Sequence, residues 1–161
     1  MLETFIKLLV MLLATNGAPI LVAWILQAHY ARPLDLGRKL QNGQPVFGSS
    51  KTWRGLVAAL VTSCVLSIIF DYGIWFGLVF GVLVITGDLI SSFIKRRMGL
   101  KPSDRCRGLD QLPESFIPSV YAVNVLGADW WWAVLLALVF MLLVILISKP
   151  LFWLNIRNRP Y

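Results

Sequence analysis

The stretch that decides the fold is residues 87–114, GDLISSFIKRRMGLKPSDRCRGLDQLPE. An apolar run leads into it from Tyr72, and Asp88 stands about two turns before that run ends. Lys95, Arg96 and Arg97 follow at once, and Asp104 and Asp110 come after them. A carboxylate inside a membrane helix is costly unless it is paired or hydrated, so an acid within the apolar length marks a working position. Acids and bases crowded at the helix end mark the membrane boundary.

Working outward, the composition agrees. Of 161 residues, 58% are apolar and only 14% are charged, against roughly 45–50% and about 25% in a soluble domain; the mean hydropathy is +0.73. Long continuous apolar runs, without period-2 alternation, predict an all-α integral membrane protein rather than a barrel. A bilayer core needs roughly 20 helical residues. Five segments meet or approach that: about 4–26, 53–70, 72–94, 113–128 and 130–153. They give a single polytopic membrane domain over 1–161 with two basic cytoplasmic loops, about 27–52 and 95–112. The first segment carries Asn16 and Pro19 and has no convincing small-residue cleavage site after it, so it is read as a retained helix. Cys64 in an apolar run and Cys106 in a basic loop do not suggest a disulfide.

Fourteen of the fifteen Lys and Arg fall in three regions, 27–54, 95–107 and the tail with Lys149, Arg157 and Arg159. Five crossings put all three on one face. The positive-inside bias makes that face the cytoplasm of the cell (inner) membrane, with the N-terminus outside and the C-terminus inside. The same bias accounts for the net charge of +7, and no nucleic-acid partner is expected. Trp130, Trp131 and Trp132 then form an outer aromatic belt. Gly73, Gly77 and Gly81 form a small-residue packing face, and His29, the one histidine, is an interfacial side chain.

On a helix, Asp88, Ser91, Ser92, Lys95 and Gly99 share one stripe from membrane depth to the cytoplasm. Asp110 reaches back toward Asp88 if the third and fourth helices lie side by side. Carboxylates with nearby hydroxyls are hard oxygen donors of the kind Mg²⁺ takes, and six Lys or Arg between 95 and 107 supply the cations a polyphosphate needs. Arg97 and Arg105 are the weaker candidates among them. The bland alternative for Asp88 is an internal ion pair with a Lys or Arg that holds the bundle together. A second cluster, FGSSKTWRG at 47–55, offers Ser49, Ser50 and Lys51, with Thr52 placed to cap the second helix. Its glycine spacing is not that of a Walker loop, and its bland alternative is a plain helix cap. Asn16 and Pro19 interrupt the first helix, either as a simple kink or as a polar wall to the site.

These residues resemble the CTP-transferring lipid enzymes: CDP-diacylglycerol synthases and, more closely, the smaller CDP-archaeol synthase family. The resemblance rests on NGAP at 16–19, GSSKTWRG at 48–55, GDLISSFIKRRMG at 87–99 and LDQLPES at 109–115. The larger family has a His-Gly-Gly before its second acid; CRGLD stands here at 106–110 with no histidine, which favours the archaeol-like branch. The resemblance implies a membrane cytidylyltransferase that converts CTP and a lipid phosphate, archaetidic- or phosphatidic-acid-like, to a CDP-lipid and pyrophosphate with Mg²⁺. By position it makes Asp88 and Asp110 the metal carboxylates and has Lys51, Lys95, Arg96 and Lys101 neutralise phosphates. Lys95 joins the two acids as catalytic, Ser49, Thr52 and Ser92 are secondary contacts, and Asn16 lines the site. The preferred lipid, ether or ester, and any role for Asp104 stay open. The alternatives are a small membrane transporter for an anionic or phosphorylated solute, which would need polar groups facing both sides, and a non-catalytic assembly subunit.

Overall fold

The computed structural model describes residues 1–40, 43–100, 108 and 110–153, apart from the side chains of Lys149 and Leu151. Lys101, Asp104, Arg105, Cys106, Arg107, Arg157 and Arg159, all weighed above, lie outside the described residues. Among those described there are five helices and no strand: α1 (Leu2–Leu26), α2 (Trp53–Ile69), α3 (Ile74–Arg97), α4 (Gln111–Val125) and α5 (Trp131–Trp153). The fold is all-α and integral to the membrane; α1, α3 and α5 are long and apolar enough to cross it. Consecutive helices pack on one another, and α1 also touches α3, α4 and α5, which closes the bundle.

The helix ends differ from those read off hydropathy, for one reason. Hydropathy stops at Ile94, but α3 continues through Lys95, Arg96 and Arg97. Arg96 is 2% exposed and Lys95 9%, so the charged turn is packed inside the bundle, not splayed into water. Likewise α4 starts at Gln111, before Pro113, because Pro is tolerated in a helix's first turn, where its missing N–H has no partner to lose. The first helix is not interrupted: α1 runs unbroken through Asn16 and Pro19. Asn16 Nδ2 donates to the Leu12 carbonyl at 2.9 Å, holding the amide within its own helix.

At one end Leu8, Met11 and Leu12 of α1 pack with Phe76, Phe80 and Val84 of α3, Ala122 of α4 and Leu136 and Phe140 of α5. Val57, Val61, Val65 and Ile68 on α2, and Leu135, Leu138, Leu142 and Leu146 on α5, are exposed in the isolated bundle; hydrocarbon is the solvent that suits them. Trp130 and Trp131 are exposed too, while Trp132 packs on Phe5, ring centres 5.6 Å apart.

Glycines set the closest approaches. A Cβ at Gly77 would stand 2.6 Å from the Ser67 Cβ and 2.7 Å from the Ser63 carbonyl, so α2 and α3 meet there backbone to backbone. Gly81 faces Ser63 in the same seam. Gly73 does something else: it precedes α3 with φ +82°, in the α2–α3 hairpin, and its carbonyl accepts from Ser67 Oγ at 2.6 Å. The tightest crossing is at Gly87. A Cβ there would lie 2.6 Å from the Glu114 Cα and nearer still to the Pro113 carbonyl. That contact seats the start of α4 against α3 one residue before Asp88.

The segment between α1 and α2 folds back through an acid. Asp35 is 7% exposed and accepts from the Gly37 amide at 3.1 Å, Phe47 at 3.0 Å and Gly48 at 2.9 Å. Burial alone would push its carboxyl up; the three amides outweigh it and hold the carboxyl below its ordinary value. Leu34 N donates to the Lys51 carbonyl at 2.8 Å and Trp53 N to the Arg32 carbonyl at 3.1 Å, which fixes the return into α2. From α3, Arg97 Nη2 donates to the Pro45 carbonyl at 2.7 Å and its guanidinium stacks 5.1 Å from the Phe93 ring. Arg97 therefore docks the segment.

Two outcomes are expected. Gly87→Ala forces α4 off α3 and destabilises by about 1–3 kcal/mol, the range for overpacking. Gly17→Ala, where an added Cβ meets nothing within 4 Å, leaves the melting temperature unchanged or higher. Thermal unfolding of both variants in the same detergent checks this, and equal melting temperatures would refute it. Asp35→Asn loses about 1–3 kcal/mol at neutral pH by weakening three charge-assisted hydrogen bonds. Because the folded carboxyl sits below the unfolded value of about 3.9, its stabilisation is complete above that value. It is lost as pH falls through the lower folded value. The gap between wild type and Asp35→Asn therefore closes only below about pH 3.9, and a gap that persists there would show the carboxylate's charge to be irrelevant.

Candidate active site

Away from the packed end, the bundle holds an open cavity of about 1210 Å³, above the usual range of roughly 300–1,000 Å³ for a small-molecule site. It is lined by the C-terminal half of α1, the N-terminal ends of α2 and α4, and the C-terminal parts of α3 and α5. The two helix N-termini matter electrostatically. Their free N–H groups and positive dipole ends favour an anion between them. Thr52 caps α2 through its Oγ1, which accepts from the Gly55 amide at 3.3 Å. Asp110 occupies the cap position of α4 but makes no side-chain cap; its carboxylate turns to Lys95 instead, at 2.7 Å.

Two acid–base pairs stand on this cavity. Lys51 Nζ lies 2.6 and 2.5 Å from the two Asp88 oxygens, with the side chains 21% and 33% exposed. Lys95 and Asp110 are more enclosed, 11% and 17% exposed. The partner of Asp88 thus comes from the segment before α2, and Lys95, its neighbour on the helical stripe, turns to α4. Ser91 Oγ caps back onto the Asp88 carbonyl at 2.9 Å and plays no part in the cavity. Asn16, Ser49, Lys51, Thr52, Asp88, Ser92, Lys95, Arg96 and Asp110 all line this one space. Of the candidate site residues, Lys101 lies outside the described residues.

Four lining residues were not singled out from the sequence. Glu114 stands one turn after Asp110 on α4 and is a third carboxylate on the wall; its i, i+4 spacing from Asp110 was the available signal. Gln111 and Arg54 join the polar rim, and Arg54 donates to the His29 carbonyl. Thr15 is fully buried beside Asn16. The remaining wall is apolar, with Leu13, Ile20, Leu21, Ala59, Val84, Leu89, Val144 and Ile147 among its residues. His29 is exposed and sits at the end of α1, its Nδ1 3.2 Å from the Leu26 carbonyl.

A space with a charged end and an apolar wall suits a molecule built the same way, and known proteins resemble this chain. A CDP-archaeol synthase of Pyrococcus furiosus is 37% identical over 117 residues, covering 58% of this chain and 69% of that protein. One from Hyperthermus butylicus is 32% identical over 106 residues, 62% of this chain and 60% of the relative. One from Saccharolobus solfataricus is 36% identical over 85 residues, 50% of this chain and 51% of the relative. The matched stretch thus spans half to about two thirds of these relatives' length. A solved intramembrane enzyme for archaeal membrane lipids biosynthesis superposes with a TM-score of 0.74 at 24% identity, over 89% of this chain and 91% of that one, a likeness of fold. The family described as CarS-like, CDP-archaeol synthase, matches residues 1–161. The chain belongs to the CDP-archaeol synthase family.

Proposed function

We propose that this chain is a membrane CTP:lipid-phosphate cytidylyltransferase acting on an archaetidic-acid-type lipid. A phosphate oxygen of the lipid bonds to the α-phosphorus of CTP as the α–β bridging bond breaks, and pyrophosphate leaves with the electron pair. The observation that carries this reading is the single cavity joining two acid–lysine pairs, two helix N-termini and an apolar wall. The nucleophile is the lipid phosphate, already anionic, so no protein nucleophile is needed. Catalysis is alignment and charge stabilisation. The transporter alternative would need a polar path through the bundle. Leu8, Met11, Phe76, Phe80 and Phe140 fill the other end.

In this proposal Lys51, Lys95, Arg96 and, from its sequence position, Lys101 neutralise the triphosphate. Ser49, Thr52 and Ser92 hydrogen-bond its oxygens, and Asn16 lines the lipid side. An arriving phosphate competes with Asp88 for Lys51 and with Asp110 for Lys95, so the lysines are held ready at the site until an anion replaces the carboxylate. The freed carboxylates are the residues that would hold Mg²⁺. The donor chemistry fits: Asp88, Asp110 and Glu114 put carboxylate oxygens on one wall. Among the described residues no group of three or more His, Cys, Asp or Glu forms a metal cage. Mg²⁺ commonly binds through one or two carboxylates, with substrate phosphates and waters completing its shell. When bound it supplies further positive charge to the phosphate oxygens. The proposed orientation has the N-terminus outside and the site on the cytoplasmic face of the cell (inner) membrane, supported by the one-sided basic residues.

Purified protein with labelled CTP, Mg²⁺ and a panel of ether- and ester-linked lipid phosphates should form CDP-lipid and release pyrophosphate; no transfer to any of them would overturn the reading. Asp88→Asn and Asp110→Asn should each lower kcat/KM by about 10²–10³. The double variant should fall far short of the product of the two losses, since both act on one ion. If Asp88 were only the partner of Lys51, Asp88→Asn would melt earlier while the folded fraction kept its turnover and Mg²⁺ dependence.

Orientation has its own check. In a background with Cys64 and Cys106 replaced, a cysteine at Asp71 should react with a membrane-impermeant maleimide added outside intact cells. One at Arg38 should react only after the membrane is opened; the reverse pattern would invert the topology.

A further inference from the structure

The transfer brings two anions together, and each needs a holder. Lys51, Lys95, Arg96 and Lys101 serve the triphosphate, which leaves the attacking lipid phosphate without a cation of its own. Arg54 lines the same cavity. It is the second residue of α2 and half-buried. Lys51 and Lys95 each face an acid. Among the described residues Arg54 faces none: its one partner is the backbone carbonyl of His29, just past the end of α1, which Nη1 holds. The N-terminal end of α2 thus sends two cations to two sides, Lys51 to Asp88 on α3 and Arg54 toward α1. The planar guanidinium fork suits phosphate oxygens, and its Nη2 has no partner among the described residues.

An apolar track leads to Arg54 along α1. Leu13, Gly17, Leu21, Trp24 and Gln27 recur at steps of three or four residues, one face of the helix, and all line the cavity. Gln27 stands at the end of α1, two residues before the His29 carbonyl that Arg54 holds. From Leu13 to Trp24 the track measures about 16 Å, close to the roughly 15 Å of hydrocarbon in one leaflet. Leu21 and Trp24 are exposed as well as cavity-lining, and so is Ile147 of α5, so the space opens to the bilayer there. Gly17 keeps the track clear. Gly55, Gly77, Gly81 and Gly87 pack against a neighbour, and an added Cβ at each would come to 3.3 Å or closer. One at Gly17 meets nothing within 4 Å.

We propose that Arg54 receives the phosphate of the lipid and that one of its chains lies along α1 over Gly17, a subsite apart from that of the nucleotide. The inference rests on the cytidylyltransferase reading and goes beyond it by giving the second anion its own cation and the chain its groove. The two anions then bind on different terms. The triphosphate displaces Asp88 and Asp110 from their lysines. The lipid phosphate breaks no ion pair at Arg54, so the lipid binds whether or not CTP is present.

Arg54→Gln keeps a donor for the His29 carbonyl and removes the charge. With an ether-linked glyceryl lipid phosphate as substrate, it should raise the lipid KM by about ten- to hundredfold, the weight of a charge-assisted contact. The dissociation constant of CTP, measured without lipid, should stay unchanged. Arg54→Lys, which keeps the charge without the fork, should fall between Arg54→Gln and wild type. Gly17→Leu fills the track; it should raise the lipid KM by about four- to fifteenfold, the weight of one or two methylenes put out of contact. Its melting temperature and its affinity for CTP should not fall. If Arg54 only anchors the end of α1, Arg54→Gln leaves the lipid KM unchanged. If it holds the nucleotide, Arg54→Gln weakens CTP binding at least as much as lipid binding. Either result overturns the inference, and so does a lipid KM that Gly17→Leu leaves unchanged. Thermal shift by the lipid phosphate without CTP separates the two levels. Wild-type protein that is stabilised by the lipid but transfers no cytidylyl group defeats the enzyme reading alone. The shift in Arg54→Gln then decides this one: a smaller shift supports it, and one equal to wild type's overturns it. Wild-type protein that the lipid does not stabilise defeats both.

Discussion

The salt bridge between Lys51 and Asp88 is the constraint from which this end of the molecule is built. Asp88 lies inside α3, nine residues before its last residue, Arg97, where an unpaired carboxylate would be driven to protonate or to water. Its partner arrives from a segment with no helix among its described residues. That segment must return to α3 with Lys51 in register, and its backbone is arranged to do so. Asp35 gathers the amides of Gly37, Phe47 and Gly48, and the pairing of residues 32–34 with 51–53 closes the loop just before α2. Arg97 holds the same segment from α3 through the Pro45 carbonyl. On the other side, the missing side chain at Gly87 lets α4 come close enough for Asp110 to meet Lys95.

Stability alone is a poor reason for such an arrangement. A buried ion pair recovers only part of what it costs to dehydrate two charges, and well-packed apolar residues often serve as well or better. Two such pairs on the wall of one large cavity, with two helix N-termini aimed at the same space, hold more polar potential than the bundle requires. Pairing lets the protein fold with its lysines in place while no anion is bound. On the proposed reading, the cost of breaking each pair is offset when a phosphate takes the lysine. The pairs resemble placeholders for a more highly charged ligand.

How much of this was legible in the sequence depends on whether the signal was local. The five helices were, because continuous apolar length is a property of each segment. Their ends were not: α3 runs past Ile94 through a turn that hydropathy assigns to solvent, since Lys95 and Arg96 are buried by tertiary contacts. The cavity-lining acids and bases were visible because a charge in an apolar run has few innocent readings. Their pairing was not, since one helical stripe joins Asp88 to Lys95 while the packed bundle gives each a partner from elsewhere. Asp35 and Glu114 sit in polar stretches where a carboxylate excites no comment, and Gly87 looks like any small residue until α4 is laid on it. Pro19 looked like a break in α1. The helix continues because its neighbour at the crossing is Gly55, which leaves room for the ring.

The cavity has an order along its depth. Charges stand at the level of Lys51 and Asp88, and aliphatic side chains such as Leu13, Ala59, Val84 and Val144 line the wall elsewhere. A nucleotide is polar over its whole length and has no use for the apolar wall. A hydrocarbon chain has none for the charged end. A molecule with a phosphate at one end and hydrocarbon chains at the other satisfies both, and it can do so while its chains remain in the bilayer. The apolar wall then has a second effect. In the proposed transfer it keeps water from the phosphates on the membrane side, where each fixed charge acts through a lower dielectric than it would in solution. The same helices that hold the protein in the membrane thereby strengthen the electrostatics on which the proposed transfer depends.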